Sequence, residues 1–359
     1  MTILRIGNTP RDYPWGSTEL IPQLLGETPD GKPQAELWFG THPTSPAKVL
    51  DQAGGPLSDR VDELGFLVKL LAADRPLSIQ AHPSKEHAAK RFAEGYPGYT
   101  DANHKPELIA AVSHFSALCG FRPVSEILED LQAAAVANPV FEPWLSSLAA
   151  SGLSGATEWA LRQDPSLSSE LVQAIGALAP ERAELTQGIF EQSGPDVGVL
   201  VSLLMNHVEL APGEALFLPA GNIHAYLSGL GVEVMAASDN VLRGGLTGKP
   251  IDQDELMRVL DFSELHQPRS REKELGRGLV EYEVSVPDFR VYRLEPSGSN
   301  LLVDINLTGK AILVCTAGKI SISTSLDEAV ELRPGQACYF EAANYFSVLG
   351  SGTGYLTMG

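Results

Sequence analysis

Two histidines, a glutamate and a glutamine, spread over three segments, form a set that could hold a divalent metal ion. In "LSIQAHP", an extended backbone puts Ser78, Gln80 and His82 on one face and Leu77, Ile79 and Ala81 on the other. In "NHKPELIA", Pro106 biases Lys105 away from helical angles, so Lys105 and Glu107 also project from one side of an extended segment. His224 completes the set, and a zinc ion held by Gln80, His82, Glu107 and His224 would keep a position open for water or substrate. A lone buried histidine is more often a hydrogen-bonded core residue, and His42, His87, His104, His114, His207 and His266 are read that way. Downstream of His224, Tyr226, Glu233, Asp239, Arg243 and Lys249 follow in "HAYLSGLGVEVMAASDNVLRGGLTGK". Gly244, Gly245 and Gly248 would let backbone approach a ligand closely, and Arg and Lys so placed suit a phosphate.

These residues need a rigid frame. The run "LGFLVKLLA" before Ser78 is apolar on both faces apart from Lys69, which predicts a strand inside the protein. Short apolar runs broken by Gly, Pro and Asp give the first 120 or so residues a β rhythm. From Ser125, a predicted N-cap, the Ala- and Leu-rich stretches "SEILEDLQAAAVA", "FEPWLSSLAA", "SSELVQAIGALA" and "RAELTQGIFEQ" read as helices. The β pattern resumes with "VLVSLLMNHVELAPGEALFLPAGNIHAYLSGLGVEV", the charged segment from about Asp252 to Arg277 reads as a connection, and a second run of short strands follows.

A weak repeat lays the segment from Leu210 over that from Leu332 without a gap: Pro212 and Gly213 match Pro334 and Gly335, Asn222 matches Asn344, and His224 falls on Phe346. Such a unit is common in small double-sheet barrels, so the expected fold is mainly β, with two cupin-like or jelly-roll barrels and an α-helical insertion. The expected division is 1–122 and 196–276 for the metal-bearing barrel, 123–195 for the helices, and 277–359 for a C-terminal barrel without ligands.

Composition excludes several classes. Against 45 Asp and Glu stand 26 Lys and Arg, a net charge of −19 that repels nucleic acid and anionic membrane. Cys119, Cys315 and Cys338 are far apart and odd in number, which argues for a reducing compartment. With neither a signal-type N-terminus nor an apolar run of membrane-spanning length, a cytoplasmic protein is expected.

"LSIQAHP", "NHKPELIAA", "PAGNIHAYLSG" and "SDNVLRGGLTGK", with "DYPWGS" and "AELWFGTHP", closely resemble the signature segments of the type I phosphomannose isomerase family. The resemblance runs through the chain in order and is weaker over the helices and the C-terminal barrel. Pro14 stands where alanine is usual, and Gly248 where proline is common. The resemblance implies one zinc per chain on Gln80, His82, Glu107 and His224, with Arg243 as a catalytic cation. It also implies Lys105, Tyr226, Glu233 and Asp239 around the substrate, and Ser78 and Lys249 at its phosphate end. The activity implied is interconversion of mannose 6-phosphate and fructose 6-phosphate through an enediol, with Glu233 or Lys105 as base, in mannose metabolism or the supply of GDP-mannose. A monomer is expected. Two rivals share the residues: a non-haem iron oxygenase, which would use the same two histidines and carboxylate, and a non-catalytic sugar-phosphate sensor.

Overall fold

The computed structural model describes residues 3–296, 301–303, 309–324, 329–342 and 346–359. Phe66–Ala73 is a strand buried along its whole length, Lys69 included. It pairs on one side with Glu36–Phe39 and on the other with the second half of the long strand His224–Ala236. The first half of that long strand has different neighbours: Ile79–Ala81 on one edge and Phe115–Phe121 on the other. Its second half is flanked by Phe66–Ala73 and Glu107–Ala111. The change of partners coincides with a bulge between Tyr226 and Ser228, where the chain turns a corner of the barrel. Leu242–Gly245 closes the row beyond Ile79–Ala81.

The helical block runs through Val124–Ala137, Glu142–Leu161, Leu167–Ala174 and Pro180–Ser193. Its core, with Trp144 stacked on Trp159 at 5.1 Å, is continuous with Ile79, Ala81, Ala225 and Leu242. The helices therefore back the strands that carry Gln80 and Arg243. Ser125 is not the N-cap: the first helix starts at Val124, whose N–H is taken by the Glu264 carboxylate at 2.9 Å. "VLVSL", expected to resume the β pattern, instead lies in the buried helix Val197–Leu203, capped by Asp196. An unbroken apolar run of that length does not distinguish a core strand from a core helix.

The C-terminal sheet is built on the long antiparallel pair of Gly309–Thr324 and Phe346–Met358. It also takes in Leu4–Gly7, Lys48–Val49 and Glu272–Gly276, so the first 122 residues contribute to both sheets. The repeat is visible in the strands: Ala215–Leu218 and His224–Ala236 recur 122 residues later as the starts of Ala337–Ala342 and Phe346–Met358. Asn344 lies outside the described residues. Phe346, in the place of His224, is buried among Leu313, Phe340 and Val348, an apolar filling with no ligand.

The expected connection from Asp252 contains the helix Gln253–Val259, and one buried side chain explains its position. Glu255, fully buried, accepts hydrogen bonds from Arg91 Nε and Nη2 (2.8 and 2.6 Å) and from the Tyr99 hydroxyl (2.9 Å), and pairs with His87 at 2.6 Å. These tie the helix that follows His82 to the helix that packs Leu256 against Gly244. Burial would raise the Glu255 carboxyl, but the bonds from Arg91, His87 and Tyr99 outweigh it and hold it down at about 2. A depressed carboxyl stabilises the fold above its unfolded value and loses that contribution as pH falls through the folded one. Glu255→Gln should therefore cost about 3 kcal/mol at pH 7, with the gap to the parent closing between about pH 4.5 and 2. Urea unfolding at a series of pH values measures this; a gap independent of pH would refute it.

Candidate metal centre and active site

His82 and His224 are buried, and each donates from Nδ1 to a backbone carbonyl, Asn240 at 2.8 Å and Asn222 at 3.0 Å. A carbonyl can only accept, so the proton sits on Nδ1 and the Nε2 lone pair is free. Both Nε2 atoms face Glu107, His82 at 3.3 Å from Oε1 and His224 at 3.3 Å from Oε2. An unprotonated ring nitrogen and a carboxylate oxygen form no hydrogen bond, and among the described residues His82 Nε2, His224 Nε2 and Glu107 Oε2 are buried without a hydrogen-bond partner. Three acceptor atoms within 4.8 Å of one another, each lacking a donor, make a cradle for a cation. Burial drives the His82 pKa down to about 4 against the pull of Glu107, which keeps the ring neutral and ligating at pH 7. Burial would raise Glu107, but the Lys105 ammonium at 2.8 Å holds it well below the carboxylate range.

The carbonyl that orients His82 is itself fixed. Asn240 donates from Nδ2 to the Asp101 and Asn103 carbonyls (both 2.9 Å) and accepts from Thr100 N–H (2.9 Å). This knot also decides the fate of Asp239. Its N–H is held by Asp101 Oδ2 at 3.0 Å and its carboxylate pairs with His42 at 3.1 Å, half exposed and away from the cavity wall, so the structure does not bring it beside the other candidates.

The others share one cavity of about 880 Å³, lined by Ser78, Gln80, Lys105, Glu107, Tyr226, Glu233, Arg243 and Lys249. Gln80 stands directly opposite His224 on one side and Arg243 on the other, giving a row across three strands. His224 and Glu233 are nine positions apart, an odd number that a regular strand would turn to opposite faces; the bulge after Tyr226 restores Glu233 to the cavity. Arg243 is half-buried and has no ion-pair partner among the described residues. Lys249 is exposed at the rim, at the end of the loop that leaves the Arg243 strand.

Several lining groups have no counterpart in the sequence-based reading: Glu36, Lys69, Arg75, Trp15 and Asp196. Lys69 reaches Glu233 at 2.9 Å and Glu36 at 3.5 Å, and lies over the Trp38 ring. Burial would lower its pKa, but the two carboxylates more than offset that and keep it an ammonium. Burial and the nearby Glu107 raise Glu233 in spite of Lys69. A lysine inside an apolar strand was the available signal.

Residues 3–124 match the family described as phosphomannose isomerase type I, catalytic domain. The chain is 36% identical to mannose-6-phosphate isomerase of Escherichia coli (strain K12), over 97% of each chain. The chain belongs to the type I phosphomannose isomerase family. The Homo sapiens mannose-6-phosphate isomerase is 32% identical, over 88% of this chain and 87% of its own. Among solved structures of the family, a mutant phosphomannose isomerase from Salmonella typhimurium superimposes with a TM-score of 0.90 at 30% identity, over 100% of this chain and 99% of that one. A zinc-bound mannose 6-phosphate isomerase gives 0.89 at 30% identity, with the same coverage. Within this family of isomerases, a two-histidine, one-carboxylate cradle with an amide beside it suits zinc, whose usual ligands include N and O donors in a site left partly open.

Proposed function

We propose that this chain is a mannose-6-phosphate isomerase that uses zinc to interconvert D-mannose 6-phosphate and D-fructose 6-phosphate. The observation that carries the reading is the convergence, among the described residues, of unpartnered ligand atoms on His82, Glu107 and His224 beside the Arg243 guanidinium, in a member of this family. Gln80, His82, Glu107 and His224 would hold one zinc per chain, which when bound supplies a Lewis acid of about one net positive charge, Glu107 being the only anionic ligand.

The chain's own groups account for the rest. Aldose becomes ketose when a proton leaves C2 and returns to C1, through an enediol whose oxygens carry the developing charge. Glu233 serves as the base: burial raises its proton affinity toward the working range, and Lys69 orients it. Lys105 is engaged with Glu107, so its part is to place positive charge beside the ligand set. Arg243 offers donors to the charged oxygens, Tyr226 lines the sugar site, and Ser78 and Lys249 receive the phosphate. Asp239, paired with His42, has no direct part in this scheme.

The domain division that supports this reading is a barrel from 1–122 and 196–276 holding the chemistry, the 123–195 helices as its backing, and 277–359 as scaffold. We assign the enzyme to the cytoplasm as a monomer acting on small sugar phosphates. Its three cysteines are free and buried, its charge repels polyanions, and no helix among the described residues is long and apolar enough to cross a membrane.

Proton NMR of metal-quantified protein with mannose 6-phosphate in D2O, with and without chelator, tests the reading. Chelator-sensitive formation of fructose 6-phosphate is expected, with deuterium in the product. Absence of product from folded, zinc-loaded protein would sink it.

A further inference from the structure

The loop that carries Lys249 is held in an unfavourable shape by a residue from another part of the chain. Leu246, the first residue after the Arg243 strand, has φ of +54°, in the left-handed region that a branched side chain adopts only at a cost. Gly245 before it has φ of +133° and touches Gly198 so closely that a Cβ at Gly245 would lie 2.3 Å from the Gly198 Cα. Something must hold this segment in place. The Asp196 carboxylate accepts from Leu246 N–H at 2.7 Å and Thr247 N–H at 3.3 Å, and from Gly198 N–H at 2.7 Å. Its own backbone N–H is anchored to the buried Ser168 hydroxyl at 3.2 Å. With its oxygens taken by three backbone donors, Asp196 is not a ligand for an anionic substrate, although it lines the cavity.

We propose that Asp196 is a positioning residue: by clamping Leu246 and Thr247 to the helical domain, it fixes the segment that leads to Lys249 and so sets recognition of the substrate's phosphate. Arg243 lies inside the strand ladder, opposite Gln80, and does not depend on the clamp. Lys249, three residues beyond Leu246 and exposed, does. The effect of losing the clamp therefore falls on binding of the phosphate and not on proton transfer.

The inference rests on the isomerase reading, and turnover of mannose 6-phosphate by the unsubstituted chain tests that reading in a separate sample. Asp196→Ala is expected to raise KM for mannose 6-phosphate at least tenfold, and the inhibition constant of inorganic phosphate in parallel, with kcat within threefold and zinc content unchanged. Asp196→Asn, which keeps one acceptor oxygen, should fall between. Because the asparagine is nearly the same size and still caps with its oxygen, it also covers the case in which Asp196→Ala does not fold. A loss confined to kcat, or KM and phosphate inhibition unmoved in both Asp196→Ala and Asp196→Asn, would overturn the proposal.

Discussion

Alanine at His82 or at His224 is expected to lower bound zinc on the order of a hundredfold and to take activity down with it. Each ring supplies one of only three buried, donor-free atoms in the cradle, and each is locked by its Nδ1 bond so that no neighbouring group can swing in as a substitute. Metal analysis after dialysis against a weak chelator, run beside the activity assay, measures both quantities on one sample. Both variants keep Glu107 paired with Lys105, so the remaining carboxylate is not stranded and the fold should survive the change. Full zinc content in both variants would remove these histidines from the metal site, whatever happened to the rate.

Arg243→Ala is expected to lower kcat about a thousandfold, several kcal/mol of transition-state stabilisation, with KM changed only a few-fold. The guanidinium has no ion pair to break among the described residues, so its removal should cost little stability. Its neighbours Gln80 and His224 are held by backbone pairing and stay in place. What is lost is a preorganised donor to a charge that exists only during the reaction, and this is why the loss should appear in kcat. A variant whose deficit lay in KM alone would make Arg243 a binding residue. Partial recovery of rate with added guanidinium would strengthen the assignment.

Much of the metal centre was legible because it is written in short range. "LSIQAHP" and the Pro106 constraint on Lys105 and Glu107 each fix the facing of a side chain within a few residues, and the structure gives both as read. The buried strand around Lys69 was equally plain from its apolar faces, but its lysine carried no hint of Glu233, which lies 164 residues away. Val197–Leu203 was misread because burial on all sides erases periodicity; Asp196, a capping residue just before it, was the one local clue. Asp239 sits among candidates in sequence, yet a knot of hydrogen bonds to Asp101 turns its side chain elsewhere. Such knots are made by residues that meet only on folding.

The bulge after Tyr226 has a meaning for anyone comparing chains of this kind. Because it shifts the alternation once, the odd interval from His224 to Glu233 works only with the bulge in place. A chain with every one of these residue types but one fewer position between them would keep its metal ligand and its base on one side of the sheet only if the bulge were the position lost. Length between the motifs and the presence of the bulge then have to be read together: a gap at the bulge keeps the two groups facing each other, and the same gap elsewhere in the interval parts them.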